Sequence, residues 1–231
     1  MLPKIFEGVT RTRLGRLPIA HYVINQFRYL RFRYALKQLP GNEQAVSIVI
    51  GASGVAGREW IATEQFWHDI TIFESWSKYF IAGQIDRILA EHVLEHLDPI
   101  ETVQAIRNFY TFLRPGGYIR VAVPDGNHPY PEYIENVRPG GIGAGAFDHK
   151  VLYTFTSLRD LFLGEGFIVN GLEYFNDSGE FHTQRWNPED GMIFRSYLHD
   201  ERNIGGTNAY SSIIIDAHKP RCEPNSLCPD P

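Results

Sequence analysis

The chain has 231 residues, 43% of them hydrophobic, and a formal net charge of −5, enough to bury one substantial core with an appended element rather than a second domain. No apolar run approaches the length of a membrane span, and the N-terminal stretch lacks the apolar core and small-residue cleavage site of a secretory signal. Cys222 and Cys228 are the only cysteines and both lie in a polar, proline-rich tail, which excludes a disulfide scaffold or a four-cysteine zinc site; a cytoplasmic protein is expected.

Residues 1–40 form a basic extension. Lys4, Arg11, Arg13, Arg16, Arg28, Arg31, Arg33 and Lys37 stand there against Glu7 alone, so the acidic excess belongs to the rest of the chain. Ile19 to Lys37 reads as a helix with Val23, Phe27, Leu30 and Tyr34 along one face and the arginines beside it. Such a helix packs on the main domain or on a second subunit, or meets an anionic membrane surface or a polyanionic substrate. No DNA contact is expected. An import presequence would share the arginines but not the aromatic residues.

Residues 41–219 carry the pattern of one α/β domain, and 220–231 read as a flexible tail. Ala45 to Ile50 is a near-continuous β-branched run, as in a strand buried on both faces. Gly51-Ala52-Ser53-Gly54 follows, a turn whose backbone can approach a ligand closely. A second short strand, Trp60 to Thr63, ends at Glu64, where a carboxylate either is simply solvated or accepts the ribose hydroxyls of a nucleoside. The joint between the two strands is shorter than an ordinary parallel crossover.

Ile85 to Ala90 is the next strand, followed by Glu91-His92 and a short helical turn. From Glu101 a helix presents Val103, Ile106, Tyr110 and Leu113 on one side and stops at Pro115-Gly116-Gly117. Tyr118 to Val123 is a buried strand, so strand, helix and strand form a right-handed parallel unit. Ligands in such sheets sit at the carboxyl ends of the strands, here Glu91-His92 and Asp125-Gly126.

The glycine-dense stretch within 125–152 reads as a lid, with His128 and His149 embedded in it. Thr156 to Leu163 is an amphipathic helix, and Phe167 to Tyr174 and Tyr210 to Ala217 are strands. Between those strands, 175–209 is a polar, aromatic insertion that lines an acceptor pocket or ornaments the surface.

Two motifs in order, D-x-I-x-A-E-H-V-L-E-H-L from Asp86 and F-L-R-P-G-G-Y-I-R-V-A-V-P-D from Phe112, closely resemble the second half of the class I methyltransferase family. The resemblance runs from Ala45 to Ala217. It implies a Rossmann-like fold, a mostly parallel seven-stranded-type sheet with an antiparallel last strand, and S-adenosylmethionine as cofactor. Trp60-Ile61-Ala62-Thr63-Glu64 is similar to the end of the compressed glycine turn of small predicted members. The cofactor contacts it implies are Gly51, Ala52, Gly54, Glu64, Asp69 and Glu91, with Glu64 on the ribose and Asp69 near the adenine. Ser53 departs from the family's second glycine.

Methyl transfer to a hydroxyl or amine needs a base, and histidine suits it near neutral pH. His128 and His149, in a P-D-G-x-H-P … P-G-G … D-H-K block like that of similar small members, stand ahead of His92 as candidates. His92-x-x-Glu95-His96 also spells the inverted zinc-protease motif, but a protease would leave the glycine turn and the Pro-Gly-Gly strand without a role. It is similar too to the Glu-x-x-Glu-His metal motif of some methyltransferases, with His92 for the first glutamate; a divalent metal is possible but not favoured. The expected activity is O- or N-methylation of a small molecule or glycan, with a catalytically inactive binding or scaffold module of the same fold as the alternative.

Overall fold

The computed structural model describes residues 18–39, 46–52 and 59–221. The tail cysteines and Gly54 lie outside them. A basic helix, α1 (Pro18–Lys37), precedes a seven-stranded sheet. The strands are β1 (Val46–Ile50), β2 (Trp60–Ala62), β3 (Ile85–Glu91), β4 (Leu113–Pro124), β5 (Ile168–Phe175), β6 (Phe181–Thr183) and β7 (Ser212–His218), in the order β2-β1-β3-β4-β7-β5-β6. Strands β1 to β4 pair in parallel, and β7 enters antiparallel between β4 and β5. The fold is α/β, mostly parallel, with an antiparallel last strand, as expected from the sequence.

β1 and β2 pair in parallel, Ser47 beside Trp60, although only residues 51–59 join them. Pro115-Gly116-Gly117 lies within β4 rather than ahead of it: Leu113 pairs with Ile85 and Tyr118 with Arg87, so the three residues are looped out of register. Gly117 packs where an added Cβ would sit 2.8 Å from the Asp86 carbonyl oxygen, so only glycine fits.

Helix α3 (Pro99–Phe112) starts at a capping box in which the Asp98 carboxylate accepts from the Ile100 and Glu101 amides and Glu101 returns a bond to the Asp98 amide. α3 and α5 (Phe155–Gly164) lay Ile106, Phe109, Leu158 and Phe162 on one face of the sheet, against Ile48, Ile88, Ile119, Val121 and Ile215. Two short helices, α2 (Phe73–Ser77) and α4 (Pro131–Val137), were not evident in the sequence pattern; each is too short to show a period.

α1 packs on the same face through Phe32, with Tyr29 against Trp67. Val23, Leu30 and Tyr34 of the sequence-derived stripe point outward instead. The helix carries apolar residues on more than one side, and the opposite side found the core.

The other face of the sheet is covered by residues 186–197 of the insertion. Val49, Leu89, Ala122 and Ile214 meet Ile193 and Trp186 there. The insertion therefore completes the domain. Its polar residues are pinned to the sheet: Glu173 accepts from Trp186 Nε1 and the Tyr197 amide, and Arg120 donates to the Gly191 and Asn187 carbonyls.

Candidate active site

From β1 the chain moves outward to β2 and then returns to place β3 on the other side of β1. At such a reversal the loops leave β1 and β3 in opposite directions and open a crevice at their carboxyl ends. Glu91 ends β3, and Gly51, Ala52, Glu64 and His92 follow strand ends on this rim.

Gly51 takes φ +62°, and a Cβ there would sit 3.2 Å from Val93 Cγ2. The left-handed turn keeps the backbone bare at the end of β1. Ala52 is buried, and its amide bonds the Thr63 carbonyl, which ties the two strand ends together. Glu64 projects at the end of β2, where Arg28 of α1 lies 3.4 Å from its Oε1. No sequence pattern linked these two residues, because 36 positions separate them.

Asp69 is engaged locally: its Oδ1 accepts from the Thr71 amide and hydroxyl, shaping the turn into α2. Glu91 faces the insertion, where its carboxylate accepts from the Arg195 amide at 2.8 Å and the Phe194 amide at 3.3 Å. Both carboxylates thus shape the loops bordering the crevice.

On the β3 side, His92 adopts φ +54°, the only left-handed non-glycine among the described residues. Its amide bonds the Ala122 carbonyl, so the backbone must turn sharply while still tied to β4. Such a conformation costs on the order of 1 kcal/mol or more and turns the imidazole off the strand. Nε2 lies 3.0 Å from Ser212 Oγ, which itself donates to the Arg195 carbonyl, and Nδ1 lies 3.0 Å from Glu95 Oε1.

Glu95 is fully buried in the turn Leu94–His96. Burial works to raise its pKa, but the charges of His92 and His96 and the contact from His92 outweigh it, leaving the carboxyl below its ordinary value. Lys150 and Val151 bond the Glu95 carbonyl, which brings the far end of the 125–152 segment onto this turn. Here His149 arrives, its Nδ1 2.7 Å from the Val137 carbonyl and its Nε2 3.9 Å from Glu95 Oε1. His96 meets the His149 ring edge-on, with centroids 4.8 Å apart.

His128 lies elsewhere. It is buried, stacked at 3.9 Å on Tyr133 and edge-on to Phe175, and burial lowers its pKa to about 4. Its Nδ1 accepts from the Tyr130 amide. Neighbouring Asp125 is also buried, accepting from the Phe175 and Asn127 amides, and burial pushes its pKa up to about 6. Of the three candidate histidines, the structure brings His92 and His149 to one carboxylate and places His128 in an aromatic cluster.

The glycines after α4 have a packing reason. A Cβ on Gly141 would lie 2.6 Å from the Glu135 carbonyl oxygen, and one on Gly143 2.4 Å from that of Asn136. The loop folds back on the end of α4 and bonds it through the Ile142 and Gly143 amides. Beside it, Tyr130, Tyr133, Asn136, Arg202 and Tyr210 line a cavity of about 330 Å³, and the Tyr210 ring stacks toward His92 at 6.4 Å.

No family model and no curated protein matches the chain. Among solved structures, it is similar to a SAM-dependent methyltransferase from Archaeoglobus fulgidus at 14% identity, with 83% of this chain and 94% of that one covered and a TM-score of 0.44. A SAM-dependent methyltransferase from Thermotoga maritima, described as a possible histamine N-methyltransferase, gives 15% identity, 86% and 92% coverage and a TM-score of 0.46. At these levels the likenesses carry no inference about activity. The chain itself folds as a Rossmann-like α/β sheet with a polar crevice at the carboxyl ends of β1 and β3.

Proposed function

We propose that the protein is an S-adenosylmethionine-dependent methyltransferase that methylates oxygen or nitrogen of a small molecule or glycan. The observation that carries this reading is the crevice between β1 and β3, with a bare glycine turn and a strand-end carboxylate on one side and histidines gathered around Glu95 on the other. The two motifs that resemble class I methyltransferases form β3 with its following turn, on one wall of that crevice, and β4 beside it.

The residues present fit the cofactor. Gly51 offers backbone without a side chain, and Glu64 offers acceptor oxygens to ribose hydroxyls. Arg28 stands beside that carboxylate, so α1 takes part in the cofactor side of the crevice. When bound, S-adenosylmethionine supplies an electrophilic methyl group on a sulfonium. The acceptor's oxygen or nitrogen forms the new bond to that carbon while the sulfur–carbon bond breaks, and the acceptor's proton must leave. His149 suits the proton's destination: Nδ1–H is held by the Val137 carbonyl, which leaves the Nε2 lone pair facing the cluster. His92, oriented by Ser212 and Glu95, is the second group on that side.

Calorimetry with S-adenosylhomocysteine tests the cofactor half. Micromolar binding that weakens at least about tenfold in Glu64→Ala is expected; no detectable binding overturns the reading. Stabilisation in a thermal-shift screen by a protein or polyanion alone would point to a binding module that lacks the reaction. Once an acceptor is found by incubating cell extract with labelled cofactor, His149→Ala should lower turnover by about a hundredfold with cofactor affinity unchanged. Activity that tolerates the change would remove the histidine from the chemistry.

A further inference from the structure

We propose that Glu95, His96 and His149 form a binding site for one divalent first-row transition cation, which clasps the turn after β3 to the end of the loop after α4. One carboxylate oxygen and one nitrogen from each imidazole lie within 4.8 Å of one another. Ligand atoms around an ion bonded at about 2.0–2.2 Å stand roughly 3–4 Å apart, so small side-chain rotations close the site.

A second observation points the same way. Glu95 is fully buried, yet neither carboxylate oxygen receives a well-aligned hydrogen bond among the described residues. Its nearest partner, His92 Nδ1 at 3.0 Å, contacts Oε1 only. His92 therefore answers one oxygen only, and Oε2 stays buried without a partner among the described residues, an arrangement that a cation on the open side would relieve.

The histidines are set as ligands. His149 gives its Nδ1 hydrogen to the Val137 carbonyl, fixing the ring and leaving Nε2 as the donor toward Glu95 at 3.9 Å. His96 is held by Asp148, whose Oδ1 lies 3.1 Å from Nδ1, and its side chain is 33% exposed, which provides an entry path. His92 is excluded, since both its nitrogens are engaged by Ser212 and Glu95. The geometry thus selects a histidine more than fifty residues away in place of the one that the local His-x-x-Glu-His spelling offers.

Two imidazoles and one carboxylate suit Zn²⁺, Co²⁺, Fe²⁺ or Mn²⁺ rather than Ca²⁺ or Mg²⁺, which take oxygen ligands, and three protein ligands leave positions open. The site shares His149 with the methyl-transfer reading. With an ion bound, the Nε2 lone pair would be taken up and the ion would favour the ionised form of an acceptor hydroxyl in its place, so His149 serves as the base only in the metal-free protein.

The test uses full-length protein stripped with EDTA and titrated with Co²⁺ by absorption and with Zn²⁺ by calorimetry, each metal alone. One ion per chain with a micromolar or tighter Kd is expected, weakened at least tenfold by Glu95→Gln, His96→Ala or His149→Ala. His218→Ala, outside the cluster, should leave it unchanged. Should Glu95→Gln fail to fold, His96→Ala decides, because that ring is partly in solvent. No saturable binding up to millimolar metal overturns the proposal. So does binding that survives His96→Ala and His149→Ala unchanged, which would place the ion elsewhere, for instance on the tail cysteines. These outcomes are independent of S-adenosylhomocysteine binding.

Discussion

The two faces of the sheet are built on different physics. On one, Ile48, Ile88, Ile119, Val121 and Ile215 meet α3 and α5 in an apolar layer that any close-packed set of aliphatic and aromatic side chains could supply. On the other, a segment with little regular structure is held by named polar contacts. Arg120 forms a bidentate pair with Asp216, both bonds 2.8 Å, and donates through Nη1 to two insertion carbonyls. Tyr118 donates to the Asp190 carbonyl, and burial pushes its pKa up to about 12. A helix satisfies its own backbone and asks the sheet only for apolar surface. An irregular segment brings unpaired amides and carbonyls, so beside the apolar Val49, Leu89, Ala122 and Ile214 the sheet must also offer it charged and polar partners.

The sharpest way to break this contrast is Arg120→Ala, which strands a buried carboxylate and two carbonyls and should cost about 3–5 kcal/mol in chemical denaturation. Arg120→Met with Asp216→Leu removes both charges and should recover part of the loss. A double variant no better than the single would mean that the pair is not what holds the segment. Its neighbour on the opposite face, Ile119→Ala, should cost about 3 kcal/mol through cavity formation, leaving the 186–197 segment as protease-resistant as before. Co-equal loss of protection on both faces would dissolve the distinction.

A smaller effect concerns pH. His68 is buried on the helical side, edge-on to Trp76 at 4.4 Å, and burial lowers its pKa to about 4. The unfolded ring binds a proton near 6.5 and the folded one does not, so stability is full above 6.5 and falls as pH drops toward 4. Asp125, at the end of β4, has the opposite sign. Its pKa is raised to about 6, so its contribution is present below the ordinary value of 3.8 and is lost as pH rises through 6. His68→Phe should therefore reduce the acid loss between pH 6.5 and 4.5 by about 2 kcal/mol, while Asp125→Asn should make it steeper. Thermal melts across that range check both; parallel curves for wild type and His68→Phe would refute the assignment. The smallest change is Glu173→Gln, which keeps an acceptor for Trp186 or the Tyr197 amide and should cost about 1 kcal/mol.

Much of the helical face could be read in advance because its elements repeat locally. Five of the seven strands, the helix from Pro99 and the stop at Phe112 sit within a few residues of where periodicity and glycine put them. The turn holding His92, Glu95 and His96 was legible for the same reason. The polar face was not: Glu91 and Glu173 look like ordinary strand-end or exposed acids, and nothing local pairs Glu173 with Trp186 or Arg28 with Glu64. The third histidine of the cluster could be named but not placed, because its position depends on how the 138–149 loop folds against α4.

By itself the sequence determined the longer strands and helices, the glycine turn after β1, and the histidines flanking Glu95. Those features depend on side-chain period and backbone conformation within about ten residues. Only the tertiary structure decided that the outer stripe of α1 faces away from the core, that the insertion forms the second layer of the domain, and that His149 rather than His128 joins Glu95. Each turns on groups far apart in the chain, where burial, charge compensation and the satisfaction of backbone hydrogen bonds must be met together.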